Sequence, residues 1–280
     1  MLNYPWVGID EVPFRRGDGK RGYVWLARTP ECVLVWFSPS RAADVLYVHL
    51  PWLKDRPIVC DGYASYVKFS FTRQRCWAHI LLHMEEAAIR SKSSAHAALY
   101  DRLSHLHEDA KKAPRNSPSA LEDLNRRYAG IVPAYASIPA EADGGRGAKV
   151  ANFLEAAQPN VFTFLSNPGM PSHNNDTERD IRDMIIPQRN IRHQLKTAEG
   201  YNVFSTVMTI SGTCKKQNIA VERAVIELIT DPDWNIFGTA EKESAEGRQK
   251  SGRRRRHAEE SLVNPDGSQF TLLTPDGKGP

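Results

Sequence analysis

Asp10, Asp61 and Glu178 are the residues whose type and placement could do chemistry. Asp10 follows the apolar Val7-Gly8-Ile9 on a predicted strand. Asp61 directly follows another apolar run, Pro57-Ile58-Val59-Cys60. Glu178 opens a predicted helix after the rigid loop Asn167-Pro168-Gly169-Met170-Pro171-Ser172. A carboxylate at the end of a buried strand is costly unless something offsets it. If the first and fourth strands are neighbours, Asp10 and Asp61 converge at one sheet edge, and Glu178 can supply a third acid. Three carboxylates make a hard, oxygen-only site that suits Mg²⁺ or Mn²⁺ and does not suit zinc. Two such ions about 3.5–4 Å apart can activate a water or hydroxyl and stabilise the leaving oxygen of a phosphodiester. Each acid also has a plainer reading. Asp10 could lie at the surface beside Glu11, and Asp61 could start an Asp-Gly turn. Glu178 fits the third helical position of a capping box begun by Asn175, and it stands four residues before Arg182, a common helix pair. Taken singly, the plainer readings outweigh the chemical one.

The elements that must position these acids can be read from periodicity. Trp6–Val12, Gly22–Arg28 and Cys32–Phe37 are rich in β-branched or aromatic residues, and the first two are followed by turn residues. Strands so closely joined predict an antiparallel meander. Ser40–Leu46 reads as a helix with Ser38 or Ser40 as N-cap. Pro57–Cys60 reads as a buried fourth strand, and Tyr63–Phe69 as a further helix. From Trp77 to about Ala157 the chain is helical, with Leu99, Leu103, Leu106 and Ala110 at helical spacing. Breaks fall at Ala113–Pro118, Ser137–Pro139 and Asp143–Gly147. A long helix begins near Asp176, followed by helices over Ala198–Lys216 and Ala220–Thr230. Thr239–Pro280 is polar, carries Arg253-Arg254-Arg255-Arg256, and reads as a disordered tail. The order of elements predicts an α/β fold, a mixed sheet interrupted by a helical insertion.

Composition narrows the class. The chain has 280 residues, 41% hydrophobic and 25% charged, with a net charge of +4. That is a globular balance, large enough for two domains or one with an insertion. The mild positive charge permits a nucleic-acid partner without demanding one. No apolar run reaches the roughly 18 residues of a membrane span, and no signal peptide is visible. Four scattered cysteines, Cys32, Cys60, Cys76 and Cys214, read as reduced thiols in a cytoplasmic protein.

Several stretches taken together resemble the insertion-sequence 66 family of bacterial and archaeal transposases. They are Asp61-Gly62-Tyr63-Ala64-Ser65-Tyr66, Gln74-Arg75-Cys76-Trp77-Ala78-His79, and His173 through Arg182. Upstream, Ile9-Asp10-Glu11, Gly19 through Trp25, and Ser40-Arg41 also resemble that family, in order from about residue 6 to 230. The resemblance implies a ribonuclease-H-like fold with an Asp-Asp-Glu metal triad. Carried over by position, the triad is Asp10, Asp61 and Glu178, holding Mg²⁺ or Mn²⁺. It divides the chain into a first part of the catalytic core (1–76), a helical insertion (77–165), core C-terminal helices (166–235) and the tail (236–280). It implies a transposase that cuts DNA at the ends of an insertion sequence and transfers the strand to target DNA. Its partners would be transposon ends and target DNA, with assembly as a homo-oligomer on the chromosomal DNA of a prokaryote and no membrane association. In the family a long recognition region precedes the first catalytic Asp, whereas nine residues precede Asp10 here. An N-terminally truncated catalytic portion is therefore expected.

Beside the triad, Cys76-Trp77-Ala78-His79 invites a zinc reading, with His83 one turn on. A zinc site needs about four ligands, and no second pair stands at ligand spacing. The resemblance puts His79 beside the acids, where it is either a phosphate contact or a satisfied core histidine. Arg179, Arg182, Arg189 and Arg192 follow Glu178 as candidate DNA-backbone contacts; His193 and Lys196 continue the run. For Lys215 and Lys216 a solvated charged face is at least as good a reading. Two rivals stand beside the transposase: an inert remnant that only binds DNA, and a metal-dependent nuclease without strand transfer.

Overall fold

The computed structural model describes residues 4–53, 56–69, 72–188, 195, 197–231 and 234. The tail at 236–280, with its Arg253–Arg256 run, lies outside the described residues, as do Arg189, Arg192, His193 and Lys196.

Strand β1 (Val7–Arg15) pairs antiparallel with β2 (Arg21–Arg28), which pairs antiparallel with β3 (Val33–Ser38). The expected meander forms. The chain crosses the sheet through α1 (Asp44–His49) and returns as β4 (Ile58–Cys60), parallel to β1 with Gly8 opposite Val59. After α2 (Ala64–Phe69), β5 (Arg73–Arg75) adds parallel to β4, giving the order β3-β2-β1-β4-β5. This mixed sheet with its helices is the ribonuclease-H-like α/β arrangement.

β1 is central, so its alternating side chains feed two different cores. Val7 and Ile9 join Trp25, Leu46, Leu50 and Tyr66 on one face. Val12 and Phe14 join Leu26, Ile181, Ile185 and Phe204 on the other. The second face is covered by α8 (Asn175–Asp180), its continuation through a π-helical turn at Ile181–Ile185, and α9 (Ala198–Gln217). The last helix among the described residues is α10 (Val221–Thr230).

Between β5 and α8 run α3 (Trp77–Ser91), α4 (Ser94–Lys112), α5 (Pro118–Ala136), α6 (Ala140–Asp143) and α7 (Arg146–Ala157). They share a third core in which Leu99, Leu103, Leu106 and Ala110 are buried, as their spacing predicts. The breaks fall where Pro and Gly require them. Ser117 caps α5 by accepting from the Ala120 N–H. Gly144 and Gly145 adopt the left-handed backbone between α6 and α7.

Trp77 anchors this core: its indole N–H donates to the Val161 carbonyl at 2.6 Å, and its ring stacks on His107 at 4.6 Å. His107 Nε2 is paired with the Ser172 hydroxyl at 2.9 Å. Burial and nearby Lys111 lower the His107 pKa to about 4. Between about 4 and the ordinary 6.5 the unfolded chain therefore binds the extra proton, so stability rises with pH across that window. Acidification from neutral pH to 5 should lower the melting temperature. A His107→Gln chain should lose part of that dependence, which a thermal unfolding series across pH would measure.

Two local expectations are corrected, and one strand is added to those read from periodicity. Ser40 does not cap α1, which starts at Asp44; the Ser38 and Ser40 hydroxyls instead accept from the Ser40 and Ala42 N–H groups in tight turns. Gln74 belongs to a fifth strand, β5, that apolar patterning does not reveal. The Asn175 capping box does not form, because the helix is entered through Asn174 and Glu178 turns elsewhere. The four cysteines are free thiols and buried. Among the described residues no helix is long and apolar enough to cross a membrane.

Candidate metal centre

Alternation on β1 separates two adjacent acids. Glu11 points into the face that holds Trp25 and Tyr66. It accepts from the Tyr66 hydroxyl and from the Arg41 guanidinium, which lies 3.6 Å over the Tyr63 ring. Burial raises its pKa, while Tyr66 and Arg41 pull it back. Glu11 is thus a satisfied buried acid, and its partners account for it.

Asp10 lies on the opposite side, shared with Val12 and Phe14 and facing α8. One of its oxygens accepts from the Glu11 N–H at 2.9 Å. Its pKa is raised from 3.8 to about 8, first by burial, then by Glu11, and further by Asp61 and Glu178. The Asp10 carboxyl therefore feels acids carried by two other parts of the chain. Asp61 arrives because β4 is the parallel neighbour of β1 and ends one residue earlier, at Cys60. Its Oδ1 accepts from the Tyr63 N–H at 2.8 Å. The turn-starting reading of Asp61 is thus correct, and it is compatible with a place beside Asp10.

Glu178 is carried by α8, and the seating of α8 is heavily specified. Asn174 donates from its amide to the Ile9 carbonyl at 3.1 Å and accepts from the Thr177 hydroxyl at 2.6 Å. Arg28, at the end of β2, pairs with Asp176 at 3.0 Å and Asp180 at 2.9 Å. Lys216 of α9 reaches the same Asp180 at 2.8 Å, so it is a structural ion-pair partner and not part of a solvated face. Gly8 completes the seat: a Cβ there would overlap the Thr177 hydroxyl.

Glu178 does not pair with Arg182 among the described ion pairs. Its Oε1 faces His79 Nδ1 at 3.6 Å and is a buried oxygen without a hydrogen-bond partner. His79 is half-exposed on the first turn of α3, so the core-histidine reading fails. Its pKa is raised to about 9 by the Cys76 thiol, with Glu178 and Asp61 adding and burial opposing. Cys76 accepts from the Asn174 N–H at 3.1 Å. Among the described residues, Cys76, His79 and Glu178 form the group whose ligand atoms all lie within 4.8 Å of one another. Cys76 is the site residue that sequence spacing undervalued, since its third partner comes from a distant helix. His83, by contrast, packs against the Phe153 ring at 4.4 Å and takes no part. Arg179 and Arg182 are exposed beside Glu178, and Arg179 pairs with Asp176 at 3.4 Å.

The acids fit a divalent cation. Asp10 is held near neutrality by burial and like charge, which a cation would relieve. Glu178 Oε1 is buried without a hydrogen-bond partner, and it faces His79 and Cys76. Comparison with known proteins agrees with this chemistry. A family model described as Transposase IS66 family matches residues 1–202. No curated protein matches the chain, and no solved structure does. With a match over most of its length, on the sheet order and acid placement described above, the chain belongs to the IS66 family of transposases.

Proposed function

We propose that this chain is the catalytic portion of a DDE-type transposase, with Asp10, Asp61 and Glu178 as its metal ligands and Mg²⁺ or Mn²⁺ as the cation. It cuts a DNA strand at the ends of an insertion sequence and joins the freed 3′-hydroxyl to target DNA. The observation that supports this most is the raised pKa of Asp10, to which burial, Asp61 and Glu178 all contribute. Such ions, when bound, activate the attacking oxygen and stabilise the leaving one. The residues of the chain do the rest. Support for this set comes from Asp10 lying on β1, Asp61 directly following its parallel neighbour β4, and Glu178 on α8 adding to the charge that Asp10 feels. The exposed guanidinium groups of Arg179 and Arg182 stand where they can contact DNA phosphates, which gives register without reading sequence. His79, charged at neutral pH, offers a further phosphate contact.

The test is a product assay with labelled element-end duplex and Mg²⁺. Joined strands are expected. Strands cut but never joined would make the chain a nuclease, and binding without cutting would make it an inert remnant.

A further inference from the structure

Glu178 stands between two constellations. One is the carboxylate set. The other is made by Cys76, at the junction of β5 and α3, and His79, one turn along α3. The three-residue step from Cys76 to His79 puts both on one side of the first helical turn. Their sulfur and ring nitrogen meet the Glu178 carboxylate oxygen, all within 4.8 Å of one another.

The donor set is of the wrong kind for the carboxylate site's cation. Mg²⁺ takes oxygen and avoids thiolate, whereas Zn²⁺ takes sulfur, imidazole nitrogen and carboxylate together. With Zn–S about 2.3 Å and Zn–N and Zn–O about 2.0–2.2 Å, tetrahedral ligand atoms stand roughly 3.3–3.6 Å apart. His79 and Glu178 are already at 3.6 Å. Both side chains are half-exposed and can close the remaining distance to Cys76 by rotamer adjustment. Two further features suit a metal-bound thiolate. The Asn174 N–H already donates to the Cys76 sulfur at 3.1 Å, the outer hydrogen bond that steadies such a ligand. Glu178 Oε1 is buried without a hydrogen-bond partner.

We propose that Cys76, His79 and Glu178 form a second cation site, for a thiophilic divalent ion of the Zn²⁺ class with water as fourth ligand, and that filling it withdraws Glu178 from the carboxylate set. The site itself stands on geometry alone. The withdrawal rests on the triad reading of the proposed function, so the two are tested separately.

The test uses the full chain, Co²⁺ as a spectroscopic stand-in, and Zn²⁺ in competition. One equivalent of Co²⁺ should give a thiolate-to-cobalt charge-transfer band and the visible bands of a tetrahedral ion, and Zn²⁺ should bleach both. Cys76→Ser should lose the charge-transfer band. His79→Ala, at a half-exposed position that the fold tolerates, should weaken Zn²⁺ binding by at least about tenfold, since even outer-shell losses cost 10–100-fold. Asp61→Asn should bind Co²⁺ as the wild type does. Absence of the band, or its survival in Cys76→Ser, would overturn the site. For the sharing of Glu178, the rise in melting temperature given by Mg²⁺ should shrink once one equivalent of Zn²⁺ is bound. An undiminished rise would overturn the withdrawal and leave the site standing. A wild-type chain that binds Co²⁺ but gains no stability from Mg²⁺ would instead count against the triad reading.

Discussion

Asp10→Asn is expected to raise the melting temperature of the metal-free chain at pH 8 and to abolish the further rise that Mg²⁺ gives the wild type. The sign follows from linkage. Asp10 has a folded pKa of about 8 against 3.8 for the free side chain. Between those values the folded state holds a proton that the unfolded state has lost. Stability therefore falls as pH rises across the window, by about 1.4 kcal/mol per unit at most. The contribution is fully present below the unfolded value and is gone above about 8. Asparagine keeps the oxygen that accepts from the Glu11 N–H, removes the charge, and flattens this slope. A gain of a few kcal/mol corresponds to roughly 5–10 °C in a chain of this size. Metal acts in the opposite direction. A bound cation needs the carboxylate ionised, so Mg²⁺ stabilisation of the wild type should grow with pH and release a proton. The variant should show neither effect, and strand cleavage should fall by at least about a hundredfold, since even outer-shell losses reach that size. Thermal unfolding at pH 5, 7 and 8, with and without Mg²⁺, reads the stability terms. A variant less stable than wild type at pH 8, with its Mg²⁺ response intact, would remove Asp10 from the metal centre. The His107 dependence has the opposite sign and lies below 6.5, whereas His79, raised to about 9, adds a slope of the same sign above 6.5, so the Asp10 contribution is read as the difference between wild type and Asp10→Asn.

The sequence carried much of the sheet and less of the site's edges. β1 to β4 are legible because Val, Ile, Trp and Phe mark strands buried on one or both faces. β5 is not, because its sequence is Arg73-Gln74-Arg75 and its buried residue is polar. Gln74 lies in the interior, accepting from the Phe164 N–H and donating to the Val161 carbonyl. Only tertiary partners explain a buried glutamine, and periodicity does not see them. The helical block is legible for the reverse reason, since its core is built by apolar residues at helical spacing. At the site, Asp10, inside β1, and Asp61, directly after β4, follow from the apolar runs that precede them, but Glu178 has two valid local readings. The capping box failed because the chain enters α8 one residue earlier, where Asn174 is held by Ile9 and Thr177. Cys76 and His79 offered two zinc ligands in sequence. The third is Glu178, beyond the whole helical insertion, and no local spacing could supply it.

Gly8→Ala should disable the same centre without touching an acid. Gly8 sits on β1 beneath α8, on the side of the strand that carries Asp10. A methyl there overlaps the Thr177 hydroxyl and stands 3.2 Å from the Arg28 side chain. The Arg28 contact is to Cγ, close to the backbone, and its guanidinium is held by Asp176 and Asp180, so it yields by a few tenths of an ångström at most. Thr177 cannot do so cheaply, because its hydroxyl is bonded to Asn174 and its backbone forms the first turn of α8. Relief to ordinary contact therefore lifts α8 by roughly an ångström, and a displacement of that size at a reacting centre can cost about 10²-fold in rate. Overpacking of this kind also costs about 1–3 kcal/mol of stability. The expected result is a folded chain with a melting temperature several degrees lower, a weakened Mg²⁺ response and about a hundredfold less strand cleavage. A double-mutant cycle separates this seat from general damage. Thr177→Ala removes the obstructing oxygen, so Gly8→Ala combined with Thr177→Ala should recover part of the Mg²⁺ response that Gly8→Ala alone loses. If the two losses simply add, the contact between Gly8 and Thr177 is not what places Glu178, and the close approach of α8 to β1 serves packing alone.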